Sequence, residues 1–227
     1  MANVNGDGSF NGRIGDLIYY RDRNGRQIVK RAAGPSAQKI RTDPGFARVR
    51  ENNEEFKAAV KLSKGIRDAF ALPFPQKPSD GFVDKLHLHN RLDKMLFRMV
   101  KLDAVNPRGQ RRIKGSTIGE LRGLEWTKWE ADLRLRPFTV VNEQSLTAKA
   151  RIPQIPYGTP VRLALVHIPD NGEAPYVAQT VDTVFNDTDI LILEVQLPTT
   201  GMWIAGMGYR IANCYEHGMC IVGAGGS

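Results

Sequence analysis

Cys214, His217 and Cys220 form a C-x2-H-x2-C array near the C-terminus. Thiolate and imidazole are zinc ligands, but a structural site needs four of them. The array is one ligand short, nothing nearby supplies it, and free thiols in or beside a strand are the expectation. His87 and His89 are two residues apart. On a helix they point in different directions and cannot chelate one ion. His167 falls inside VRLALVHI as a sheet-face residue. Asp187 and Asp189, in FNDTD, lack the spacing of an EF-hand and read as a solvated turn. No nucleophile elbow, Walker loop, dinucleotide fingerprint or HExxH is present. GDGSFNG and GAGGS are glycine-rich, but neither follows a strand and opens a helix, so neither predicts a phosphate cradle. The residues therefore predict no catalytic site, no cofactor, no metal and no enzyme.

The other chemistry on offer is charge. Arg21, Arg23, Arg26, Lys30 and Arg31 crowd together, beside Tyr19 and Tyr20. Cations meet phosphates, and aromatic rings stack on exposed bases. Asp22, Asp43, Glu51, Glu54 and Glu55 interrupt the basic stretch, and Lys and Arg also protect exposed strand edges. These seven residues are the predicted partner-binding set. The expected partners are copies of the chain itself and other proteins of an assembly; nucleic acid is the alternative. Trp126, Trp129 and Trp203 could stack on sugars in an adhesin-like module, but β-sandwich cores bury tryptophan.

The elements that must hold this cluster follow from the pattern. Residues 1–12, rich in Gly and Asn, read as a flexible arm. Asn24-Gly25 is the strongest short hairpin signal and predicts a two-residue type I′ turn within a hairpin over 13–34. That turn pairs Arg23 with Arg26, Tyr20 with Val29 and Ile18 with Arg31. A lone two-stranded ribbon is marginal in water, so it should dock on something. Asp43-Pro44 reads as a cap followed by Pro at the first helical position. Phe46, Val49, Phe56, Val60, Ile66 and Phe70 then lie near one helical stripe. Pro73, Pro75 and Pro78 end that helix, and Ser79 or Asp80 can cap a second. Leu88, Leu92, Met95, Met99 and Leu102 make a seam with alternating steps of four and three. The two helices, 43–106, are expected to pack as a pair, with packing between subunits as the alternative. Residues 107–123 read as a basic linker. From 124 onward about seven short alternating strands predict an antiparallel, immunoglobulin-like β-sandwich. The expected fold class is α+β.

Charge divides the chain at the same place. Residues 1–123 carry 25 Lys and Arg against 13 Asp and Glu; residues 124–227 carry 7 against 11, within a net charge of +8. Opposite halves permit head-to-tail contacts between copies. With 41% hydrophobic and 25% charged residues, the chain can bury a core. No apolar run approaches the length of a membrane span. No basic stretch followed by an apolar one opens the chain, so synthesis in the cytoplasm without a classical signal peptide is expected, with the final location in a particle or appendage.

DLIYYRDRNGRQIVKRAAG followed by RTDPGFARVRENNEEFKAA resembles a family of uncharacterised bacterial proteins. Its members begin with a Phe/Tyr-rich hairpin and continue with an Arg-Thr-x-Pro-x-Phe-x-Arg-x-Arg-Glu-Asn-like stretch. The match covers roughly residues 12–70, with Asp43 as an extra acidic residue before the proline. The resemblance implies a phage-like or appendage structural protein rather than an enzyme, and carries no catalytic or binding residue across. The expected function is thus a non-enzymatic assembly subunit.

Overall fold

Two runs, VRLALVHI and MWIAGMGY, are apolar at nearly every position rather than at alternate ones, as strands covered on both faces must be. In the computed structural model they are the paired strands β7 (Pro160–Ile168) and β10 (Met202–Tyr209). The structure describes residues 2–4, 10–32, 34–74, 82–125, 136–142, 144–151, 158–185, 191–209 and 219–226. The chain is α+β with antiparallel sheets, in two units, Met1–Arg50 and Glu51–Ser227.

In the second unit, β8 (Tyr176–Val184) and β11 (Cys220–Gly226) flank the central pair in the order β11-β10-β7-β8. A three-stranded sheet follows the order β5-β6-β9, from β5 (Arg136–Val141), β6 (Ser145–Arg151) and β9 (Leu191–Gln196). Leu146 and Ala148 of β6, and Leu191, Leu193 and Val195 of β9, pack on Val161, Leu163, Leu165, Trp203 and Tyr209. Thr139 Oγ1 donates to the Val222 carbonyl at 3.2 Å, and the Gln196 N–H donates to Gln179 Oε1 at 2.8 Å, joining the two sheets by direct hydrogen bonds.

The opposite face of the four-stranded sheet is covered by helices. α2 (Ala47–Ala71) runs from the first unit into the second, and α3 (Phe82–Lys101) follows. Ile66 and Phe70 of α2, and Leu92, Leu96, Met99 and Val100 of α3, join Ala164, Val166, Ile168, Ile204 and Ile221 in one core. The helices are thus a layer on the sheet, not a pair that buries its stripes only on itself. The compact unit accordingly begins at Glu51, whereas the change in charge falls at 123/124. The buried line of α2 also differs from the expected stripe. It passes through Glu55, Ala59, Ser63, Ile66, Ala69 and Phe70, while Val49 and Phe56 are exposed. Small residues at 59 and 63 let α2 approach closely. Met95 is half-buried, and Leu102 lies exposed past the end of α3. Leu88 lies on α3 but its side chain is outside the described residues, as are Pro75, Pro78, Ser79 and Asp80.

Glycines set the spacing of these layers. A Cβ at Gly206 of β10 would come within 2.7 Å of Met219 Cε and 2.8 Å of Phe70 Cε1; one at Gly225 would lie 2.9 Å from the Trp203 ring. The Gly-rich end of the chain is therefore a strand whose missing side chains admit an indole, not a phosphate cradle.

Residues 107–123 are anchored rather than extended as a linker. A short helix α4 (Gly115–Ile118) and a 3-10 turn (Gly119–Leu121) bury Ile118 and Leu121, and Leu124 is buried beside them. Two buried carboxylates tie down the segment before them. Glu55 accepts from the Gly109 N–H at 2.7 Å and, in bidentate fashion, from Arg111 Nε at 2.7 Å and Nη2 at 2.6 Å. Asp103 accepts from the Val105 and Arg112 N–H groups, from the Asn106 amide at 2.7 Å and from Lys114 at 3.0 Å. Hydrogen bonds from Arg111 hold the Glu55 carboxyl below its usual range despite burial, and the same contact raises Arg111. The Asn106 amide, then the Arg112 N–H and Lys114, hold Asp103 well below the ordinary carboxylate range.

Candidate docking surface on the N-terminal sheet

The first unit holds the predicted partner-binding residues. It is a four-stranded antiparallel meander of β1 (Ala2–Val4), β2 (Phe10–Ile14), β3 (Leu17–Arg21) and β4 (Gln27–Arg31). The segment expected to be a flexible arm thus contributes β1 and the first residues of β2. Gly15-Asp16 forms a two-residue hairpin connection between Ile14 and Leu17, with Gly15 at φ +53°. Helix α1 (Ala37–Thr42), capped by the Ser36 hydroxyl, also escaped the pattern; Asp43 then caps the 3-10 turn Pro44–Phe46 through the Gly45 N–H.

The β3–β4 connection is not the expected two-residue turn. Leu17 pairs with Arg31, Tyr19 with Val29 and Arg21 with Gln27. Asp22 closes the loop, its N–H donating to the Arg26 carbonyl at 3.0 Å, which leaves Arg23, Asn24 and Gly25 as a three-residue loop with Gly25 at φ +75°. The reason lies in Asp22. Its Oδ1 accepts from the Asn24 N–H at 2.9 Å and the Arg26 N–H at 2.8 Å, an Asx-type closure that favours the longer loop. A slip of one residue exchanges faces. Arg23 and Arg26 are therefore not opposed across a ladder, and Tyr20 faces Ile28 rather than Val29.

The observed register sorts the cluster onto two faces and a tip. One face carries Phe10, Ile14, Leu17, Tyr19 and Val29, with Arg21 and Arg31 at its margin. Phe10 and Tyr19 have ring centroids 5.6 Å apart. The other face carries Ile18, Tyr20 and Ile28 with Arg13 and Lys30, the ammonium of Lys30 lying 5.2 Å from the Tyr20 ring centre. Arg23 and Arg26 sit in the loop. The seven residues are neighbours in one small sheet but not one patch. No residue described between 10 and 50 is buried. Phe10, Ile14, Leu17, Tyr20 and Val29 are all exposed, Val29 by 49%.

The remaining sequence candidates are dispersed. Cys220 is buried in β11, where burial, and then the charge of Glu125, push its thiol up to about 12; Cys214 and His217 lie outside the described residues. His167 bonds through Nδ1 to the Tyr176 hydroxyl at 2.9 Å and donates from Nε2 to the Thr200 carbonyl at 2.8 Å, a pairing that needs the Nε2–H tautomer. His87 and His89 both lie on α3. Trp203 is buried, which removes it as a sugar platform, whereas Trp126, Trp129, Asp187 and Asp189 lie outside the described residues. Among the described residues no group of three His, Cys, Asp or Glu could hold a metal ion, and no helix is long and apolar enough to cross a membrane.

No family model matches the chain, and no curated protein matches it. Among solved structures, superoxide reductase from Nanoarchaeum equitans aligns over 42% of this chain and 94% of its own, at 11% identity and a TM-score of 0.27. Superoxide reductase (neelaredoxin) from Archaeoglobus fulgidus aligns over 45% and 100%, at 13% identity and the same TM-score of 0.27. Beta-glucosidase 3B from Thermotoga neapolitana aligns over 71% of this chain and 24% of its own, at 12% identity and a TM-score of 0.25. Likenesses at these scores carry no conclusion about fold or activity.

Proposed function

We propose that the chain is a non-enzymatic structural subunit of a larger protein assembly, a phage-like particle or filamentous appendage, and that its N-terminal sheet is the docking element. One observation carries the reading: a four-stranded sheet with apolar side chains on both faces and no buried residue among those described. Such a sheet gains little from folding alone and much from being covered. Four strands of about five residues present a flat footprint of about 300 Å² per face. A stable interface takes about 800 Å² from each partner. One face alone falls short of that, so a neighbour must also bury surface beyond the sheet, and two such faces allow two neighbours. Two contacts per subunit are what a ring or filament requires. The resemblance of residues 12–70 to appendage-like structural proteins points the same way. The strand orders β5-β6-β9 and β11-β10-β7-β8 support reading the remaining strands as an immunoglobulin-like sandwich, a scaffold that commonly displays loops at its ends.

Light scattering at low and high salt tests the proposal. The wild type is expected to be a multimer. Tyr19→Asp, a charge at the centre of one face, is expected to cut the mass while leaving the melting of the second unit unchanged. A wild-type monomer at every salt concentration defeats the reading.

A further inference from the structure

The outward sides of α2 and α3 hold a second basic surface, distinct from the N-terminal cluster and lying wholly in the second unit. On α2, Lys57, Lys61 and Lys64 follow steps of four and three, opposite the buried line through Ala59, Ser63 and Ile66. On α3, Arg91, Lys94, Arg98 and Lys101 follow steps of three, four and three, opposite Leu92, Leu96 and Met99. Residues at such steps share one helix face. All seven are exposed. The acidic residues of the α2 ridge stand at its ends: Glu54, 3.9 Å from Lys57, and Asp68.

Between the ridges the helices touch. Phe56 and Phe97 meet edge to face with centroids 5.2 Å apart, and Arg67 pairs with Asp93 at 3.3 Å. Lys101 lies 4.2 Å from the Phe97 ring centre. The result is a positively charged ridge on each helix, with these side-chain contacts between the two.

We infer that this helical face binds the phosphate backbone of duplex nucleic acid without reading its sequence. Rows of exposed cations attract an anionic partner, and the form of the surface selects which. A protein interface is centred on a sizeable apolar cluster, but here the ridges are Lys and Arg, with Glu54 and Asp68 at the ends of one, and the aromatic pair between them is partly capped by Lys101. A membrane-surface helix must present its apolar side to lipid, and the apolar sides of α2 and α3 are spent in the core. Among the described residues after 124, the exposed acids Asp170, Glu173, Asp182 and Glu194 lie on three separate segments, and Asp182 is already paired with Arg162. Phosphates need only exposed cations in rows, which the ridges supply. Five of the seven cations are lysines, compact point charges that suit phosphate oxygens more than the bidentate reading of base edges.

The inference is independent of the assembly proposal and is tested with the full chain. Fluorescence anisotropy with a labelled mixed-sequence duplex should give a Kd in the non-specific range, about 10⁻⁴ to 10⁻⁶ M at physiological salt. Five to seven phosphate contacts give a log Kd against log salt slope of about 4.5 to 6 in magnitude. Lys61→Glu with Lys94→Glu, one change on each ridge, is expected to lower that slope by about two and weaken binding more than about tenfold. If that pair fails to fold by circular dichroism, Lys61→Gln with Lys94→Gln serves in its place. Arg23→Gln with Arg26→Gln in the N-terminal loop is expected to leave duplex binding intact. Absence of binding at 50 mM salt, binding unchanged in the ridge variant, loss in the loop variant, or binding to anionic vesicles in preference to duplex would each overturn the inference.

Discussion

Replacing Glu55 by Gln removes one charge from a buried pair and leaves Arg111 facing an amide. The Glu55 side chain is 1% exposed and that of Arg111 16%. The amide can still accept from Gly109 or from Arg111 Nε, but its NH2 group then points at another donor, Arg111 Nη2. Breaking a buried pair by removing one partner costs about 3–5 kcal/mol. Arg111 keeps some contact with water, which places the expected cost near the lower end, about 3 kcal/mol. The second unit spans Glu51–Ser227, a size at which each kcal/mol shifts Tm by about 2–4 °C. The melting temperature at pH 7, followed by far-ultraviolet circular dichroism, should fall by about 6–12 °C. Replacing both partners, Glu55→Met with Arg111→Met, should cost less than the sum of the single changes, since an apolar pair leaves no stranded charge. A Glu55→Gln shift under about 2 °C, or single changes that add within about 0.5 kcal/mol, would refute this account of how residues 103–114 are held.

Acid should loosen the same segment. Glu55 and Asp103 have lowered folded-state values, so their stabilisation is complete above the ordinary unfolded values, about 4.3 and 3.9, and is lost as pH falls through the folded ones. The melting temperature of the second unit should therefore respond weakly to these groups from pH 7 to 5 and drop below about pH 4.5; a flat profile down to pH 3 would contradict the geometry. Gly25→Val meets open space but must hold a β-branched residue at φ +75°. It is expected to reduce multimer mass without altering the melting of the second unit, whereas Gly25→Asn should be tolerated. Gly206→Val drives a side chain into Phe70 and Met219 and should destabilise by about 1–3 kcal/mol in chemical denaturation; equal midpoints would show that the layers can part. A fragment starting at residue 124 bares Ala164, Val166, Ile204 and Ile221 and is expected to aggregate, while 51–227 unfolds cooperatively by circular dichroism.

Much of the secondary structure was legible because its signals are local. Alternation marks β8 and β9 as strands with one covered face, and their exposure alternates accordingly. The continuous apolar runs of β7 and β10 mark strands covered on both sides, but period alone does not say by what. The buried line of α2 departs from its apolar stripe because small residues stand where the helix meets the core. Phe56 lies at the α3 contact, while Ala59 and Ser63 take the places closest to the core. The docking cluster was legible as composition but not as geometry, since one carboxylate, that of Asp22, sets the register on which the faces depend.

The sequence by itself determined the α+β class, the uneven charge and the crowding of Arg, Lys and Tyr between residues 19 and 31, since composition and short-range pattern are properties of the chain at any conformation. Only the tertiary structure decided which surfaces those residues make. It spread the N-terminal cluster over two faces and a loop, because β pairing inverts faces with each step of register. It turned 107–123 from an apparent linker into a segment held by Glu55 and Asp103, the first of which reaches Arg111 from 56 residues away. It also aligned Lys57, Lys61 and Lys64 beside Arg91, Lys94, Arg98 and Lys101, because burying the apolar sides of both helices on one sheet leaves their charged sides pointing the same way.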